Sequence, residues 1–243
     1  MLSGFLAVLP TCARPGPHRT WRSTINSRTA TAAAPGGWRW WRVATALIAR
    51  VALALPATAV QLAPANLTRL IGQSDVVVPG QVKSVTDGID AKGMPCTEIT
   101  LLVGSSAKKK LAARSEFKFR QFDLLTSRKI PDGRFLVAKA PEGFPTWRPE
   151  EQVVAFMFKP ATKTGLRTTV GLSQGKFTSS AGRLTNDQRN QGLFAGVKVN
   201  PGLLTRAESA MLRSPAGAVE SATLMSLVNR AAAGKRIEKG VMR

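Results

Sequence analysis

Between Asp75 and Ser180 apolar residues recur at alternate positions in several short runs, the spacing of half-buried β-strands. DVVVPGQVKSV, residues 75–85, reads as a strand with Val76, Val78, Val82 and Val85 among its apolar positions. Pro79-Gly80 in its middle implies a bulge or a sharp bend. TEITLLV at 97–103 alternates polar and apolar residues. EFKFRQF at 116–122 sets Phe117 and Phe119 against Lys118 and Arg120 on the opposite face. A loop containing Pro131-Asp132-Gly133 precedes the short run FLVA at 135–138. VVAFMF at 153–158 is apolar throughout, as a strand buried on both faces would be, and is too short to cross a membrane. LRTTVGL (166–172) and GKFTSS (175–180) read as two arms of a hairpin.

Helical spacing flanks these runs. Gln61 to Ile71 reads as a short helix capped by Asn66 and ended by Gly72. Past Asn200-Pro201 two more helices are expected, within TRAESAMLR and VESATLMSLVNRAAAGK. Ser214-Pro215 is the start signal of the second and Gly234 its stop. Leu224, Val228 and Ala231 share its apolar face, with Met225 and Ala232 beside them. The last ten residues, GKRIEKGVMR, read as frayed and solvated.

The N-terminal portion is built differently. The chain has 243 residues and a net charge of +21, yet no acidic residue precedes Asp75. RWWRVATALIARVALALPATA, residues 39–59, has the layout of a secretory signal peptide. Arg39 and Arg42 lead an apolar run from Val43 to Leu55, Pro56 breaks the helix, and Ala57-Thr58-Ala59 forms a small-x-small cleavage site. Arg50 interrupts that run, so a membrane anchor of roughly 20 apolar residues is disfavoured. Residues 1–38 are an Arg-, Pro- and Ala-rich stretch, read either as leader upstream of the true translation start or as a transit peptide to an organelle. Cleavage near Ala59 would place the mature chain in the periplasm or outside the cell.

Through Ala59 the leader takes 7 of the 35 basic residues and none of the 14 acidic ones, so the remainder carries 28 and 14, a net of +14. Such a domain favours anionic partners: polysaccharide, lipid head groups or acidic protein, with nucleic acid the alternative. The densest basic cluster is Lys108-Lys109-Lys110 with Arg114, the candidate contact site.

SDVVVPGQV, TEITLLV, RPEEQVVAFMF and GLSQGKF, in that order, resemble a widespread group of uncharacterised bacterial exported proteins. The opening helix with SDVVVPGQV is also distantly similar to the barrel of the tissue inhibitors of metalloproteinases, an OB-type fold. The resemblance spans about Leu67 to Thr178 and implies fold and export rather than chemistry. Those inhibitors place an N-terminal cysteine on the catalytic metal. The expected mature start here, Val60-Gln61-Leu62, has none.

The residues left after Ala59 limit the chemistry. His18 is the only histidine and lies in the leader, and Cys96 is the only remaining thiol, read as a buried small hydrophobe. A Ser-His-Asp or Cys-His arrangement is excluded, as is an intramolecular disulfide. A metal site would have to be assembled almost wholly from carboxylates. No cofactor is expected. Glu150-Glu151 could suggest a two-carboxylate acid/base site, but adjacent strand residues point to opposite faces. GLSQGKF has a P-loop-like look, yet three residues rather than four separate Gly171 from Gly175, Phe177 follows Lys176, and the flanks are strands. It reads as a turn.

The expectation is therefore mainly β. A leader (1–38) and signal peptide (39–59) precede a small OB-like β-barrel at 60–200, opened by a short helix and followed by a helical tail at 201–243. Its expected role is noncatalytic binding. The alternative is an OB-type protein that binds single-stranded nucleic acid.

Overall fold

The computed structural model describes residues 63–109 and 111–243, within one compact unit spanning Val60–Arg243. The leader, the signal peptide, its cleavage residues Ala57 and Ala59, and Lys110 lie outside the described residues.

The fold is mainly β. In chain order the elements are α1 (Leu67–Gln73), β1 (Val76–Ile89), β2 (Pro95–Val103), β3 (Glu116–Gln121), β4 (Arg128–Lys129), β5 (Phe135–Leu136), β6 (Gln152–Met157), β7 (Lys176–Ser180), β8 (Arg183–Thr185), α2 (Arg206–Leu212), β9 (Val219–Glu220) and α3 (Ser221–Ala233). Short 3-10 turns cover Leu172–Gly175 and Pro201–Leu203. Seven strands form an antiparallel sheet in the order β3-β2-β1-β6-β7-β8-β9, while β4 and β5 make a separate two-stranded ribbon.

β1 is shared between two neighbours. Its first half pairs with β6 from Val76↔Met157 to Gln81↔Gln152, and its second half pairs with β2 from Gly80↔Val103 to Ile89↔Pro95. The two pairings overlap at Gly80 and Gln81, and a side chain on Gly80 would collide with the Leu102 carbonyl. The expected irregularity falls just after Pro79-Gly80, as a register shift between Val82 and Ser84.

Alternation divides the sheet between two cores. Val76, Val78 and Val82 of β1 meet Ile99, Leu101, Phe119, Trp147, Val153, Ala155 and Met157 on one face. Val77, Val154, Phe156, Phe177 and Leu184 face the other way, onto α1, α2 and α3. VVAFMF is thus buried on both sides because each face has its own core.

Strand pairing does not close the sheet: β3 and β9 are its ends among the described residues. The β3 half nevertheless curls. The segment after β6 folds back along it through the Met157↔Thr169 bridge, and the Arg167 N–H donates to the Arg120 carbonyl at 2.7 Å. One backbone bond therefore links β3 to the segment after β6, where the expected barrel would have a full ladder.

Other expectations change in detail. LRTTVGL does not pair with GKFTSS, because Val170 donates to Phe156 and so follows the end of β6. The hairpin is instead β7–β8, turning at Ala181-Gly182, both with positive φ. α1 runs one residue past Gly72 to Gln73, with the Asn66 side chain accepting from Arg69 N–H as its cap. α3 starts at Ser221, well after Ser214-Pro215, and ends at Gly234. The helical tail is docked on the sheet by its apolar face: Leu224, Leu227, Val228 and Ala231 of α3 pack in the same core as α1. The terminus is not frayed either. Met242 is fully buried and bridges Val199, and Lys198 and Arg243 exchange backbone bonds.

Candidate functional site

GLSQGKF is an internal brace. Gly171 has φ +67°, and a Cβ there would lie 2.6 Å from the Ala65 Cβ. A Cβ on Gly175 would overlap the Val170 carbonyl. The glycines are needed for close backbone packing, and Gln174 Oε1 uses that closeness to accept the Ala65 N–H at 2.7 Å. Lys176 is only 5% exposed; its Nζ lies 2.6 Å from Glu151 Oε2 and 5.2 Å from the centre of the Trp147 ring. Thr178 donates to the second Glu151 oxygen at 2.8 Å. The ammonium is buried and paired with a carboxylate, so it is not presented to a phosphate.

The adjacent carboxylates are held apart. Glu150, at φ +67°, accepts from Gln81 Nε2 at 2.8 Å, while both Glu151 oxygens are taken up by Lys176 and Thr178.

The basic cluster divides. Lys108, with φ +65°, turns its ammonium onto the C-terminal end of α1 and donates to the carbonyls of Ile71 at 2.7 Å, Gly72 at 3.2 Å and Ser74 at 2.6 Å. It satisfies helix-end carbonyls where the macrodipole is negative. Burial pushes its pKa down, against the opposing pull of Glu238 and Asp75. All three of Lys108, Lys109 and Arg114 are exposed residues, but the Lys108 ammonium is taken up as a helix cap. A cleft of about 620 Å³ opens beside this cap, lined by Gln73, Asp75, Phe158 and Lys159 among others.

The β4–β5 ribbon is the surface that sequence reasoning missed. Ile130 N–H and Arg134 carbonyl continue the Arg128↔Leu136 and Lys129↔Phe135 pairs, with Pro131-Asp132-Gly133 at the tip. Asp87 of β1 anchors it: its Oδ2 accepts from Thr126 N–H at 3.1 Å and its Oδ1 from Arg128 Nη2 at 3.2 Å. The Thr126 N–H, followed by Arg128, holds the Asp87 carboxyl below the usual aspartate range despite the opposing effect of burial. Phe135 is 67% exposed and Val137 64%, with Lys129 opposite Phe135, and Leu125 (54% exposed) follows Leu124, whose N–H donates to the Ala138 carbonyl beside Val137. Residues 124–140 hold Arg128, Lys129, Arg134 and Lys139 against Asp132 alone. SRKI-PDG-RFLV, with a turn between two short alternating runs, was the available signal.

EFKFRQF is placed as its alternation implies. Phe119 is buried edge-on against Trp147 at 5.2 Å, while Lys118 pairs with Glu116 and Arg120 with Asp90. Among the described residues no helix is long and apolar enough to cross a membrane.

No protein-family model matches the chain, and no curated protein or solved structure does so either.

Proposed function

We propose that residues 60–243 form an exported, noncatalytic binding or accessory module that engages an anionic envelope or extracellular partner. The observation that carries this is the distribution of charge. Eight ion pairs among the described residues engage seven carboxylates, Glu116 serving two lysines, while the domain holds twice as many basic as acidic residues. Exposed cations such as Lys109, Arg114, Lys129, Lys139 and Arg189 have no carboxylate within pairing distance and set a positive field around the domain. The signal-peptide layout of residues 39–59 supports export. The curled half, β1–β2–β3 with β6 and β7, is read as an OB-type barrel left incompletely closed.

Single-strand binding is the weaker alternative. Base stacking requires aromatic rings and free cations on one exposed surface. On β3 Phe119 is buried against Trp147 and both basic residues are paired, and the β4–β5 ribbon offers a single exposed ring, Phe135, where stacking successive bases calls for several.

Binding of the full chain to a sulfated polysaccharide and to anionic vesicles at rising salt tests the proposal. Binding that weakens as the screening length falls below about 10 Å is expected. Retention unaffected by salt, or no retention on any polyanion, would contradict it.

A further inference from the structure

We infer that the β4–β5 ribbon docks this protein on an anionic lipid bilayer, with Phe135, Val137 and Leu125 entering the acyl boundary and the ribbon's cations on the headgroups. This rests on the anionic-partner proposal above and names its chemistry. Phe135 lies in β5 and Val137 just past its end, before Ala138, whose carbonyl accepts the Leu124 N–H at 2.7 Å; two-residue spacing along this paired stretch sets both side chains on one face. That face is directed away from both cores: Phe135 and Val137 are each about two-thirds exposed and belong to neither. The cation Lys129 sits directly across from Phe135. Of the ribbon's four basic residues, Arg128 pairs with Asp87 and Arg134 with Asp132, which leaves Lys129 and Lys139 as exposed cations with no carboxylate partner among the described residues.

Charge alone would suit any polyanion, but the aliphatic side chains discriminate. Val137 and Leu125 gain nothing against sulfate, sugar hydroxyls or phosphate, whereas a bilayer supplies hydrocarbon within reach of its charged surface. Shallow insertion needs no complementary shape. A stable protein contact buries roughly 800 Å² per partner, more than three separated apolar side chains on a narrow ribbon provide. The Asp87 contacts to Thr126 and Arg128 hold the ribbon on the sheet, so its apolar face is presented in a fixed orientation.

The test is a fluorescence measurement on the full chain carrying Cys12→Ser and Val137→Cys, labelled at the new thiol with an environment-sensitive probe. Cys96 is buried, and position 137 is exposed, so the label lands at one place and displaces no core contact. Vesicles contain phosphatidylglycerol and phosphatidylcholine in equal proportion, with phosphatidylcholine alone as the neutral control. The expected result is a blue shift and protection from an aqueous quencher on the anionic vesicles only. Adding Phe135→Ser should weaken vesicle binding by about tenfold, as expected for losing a large apolar group from the interface. Binding to the anionic vesicles with an unshifted, fully quenched label would overturn ribbon insertion and leave the anionic-partner proposal standing. So would binding to a sulfated polysaccharide but not to vesicles. Failure to bind either polyanion would overturn both.

Discussion

The Lys176 ammonium sits 2.6 Å from Glu151 inside the fold, under the face of Trp147 and beside the Thr178 hydroxyl. A buried pair of this kind is expensive to break from one side, because the remaining charge has neither partner nor water. Glu151→Gln should therefore cost about 3–5 kcal/mol of stability, whereas the double change Glu151→Gln with Lys176→Met should recover much of that loss. Urea unfolding of the three proteins checks both statements. Equal stability for the single variant and the parent would remove the structural role assigned to GLSQGKF.

Gly175→Ala places a methyl group against the Val170 carbonyl, while Gly182→Ala, at φ +75°, meets no atom within 4 Å. The second change carries only left-handed backbone strain, about 1–2 kcal/mol. The first adds a steric collision and should be the more damaging. Thermal unfolding should rank parent, then Gly182→Ala, then Gly175→Ala.

Lys108 and Lys109 are neighbours with separate roles. Lys108→Gln removes the cap on α1 and should lower stability by about 1 kcal/mol. Lys109→Gln should leave stability unchanged and reduce polyanion binding at low salt. Paired measurement of unfolding and vesicle binding separates the two, and the opposite assignment of effects would refute it.

Asp87 gives the ribbon a pH dependence of definite sign. Its folded pKa is depressed, first by the Thr126 N–H and then by Arg128, so its contribution to stability is fully present above the unfolded value of about 3.9. That contribution is lost as the pH falls through the lower folded value. Hydrogen exchange over residues 124–138, expressed relative to the intrinsic amide rate at each pH, should accelerate on acidification in the parent protein. In Asp87→Asn it should already be fast at neutral pH and respond less to acid. An identical acid response in the two proteins would show that Asp87 does not hold the ribbon.

What the sequence disclosed and what it hid differ by the range of the interactions involved. Asn66 marked the start of α1, Gly234 the end of α3, and the uniform VVAFMF run a strand buried on both faces. Each depends on residues close in the chain. Closure of the barrel depends on whether β3 reaches the segment after β6, and composition does not encode that. β9 is two residues long and exists only because β8 lies beside it. Met242 is buried because Val199 comes to meet it, so a polar, basic terminus gave no hint of docking. Lys108 was legible as a charge and illegible as a cap, since only the fold shows where its ammonium points.

The most direct test of the account is the intact mass of the native protein recovered from fractionated cells. An exported binding module predicts a chain beginning near Val60, recovered outside the cytoplasm. An uncut chain inside the cell would contradict export and move the search for its anionic partner to intracellular nucleic acid.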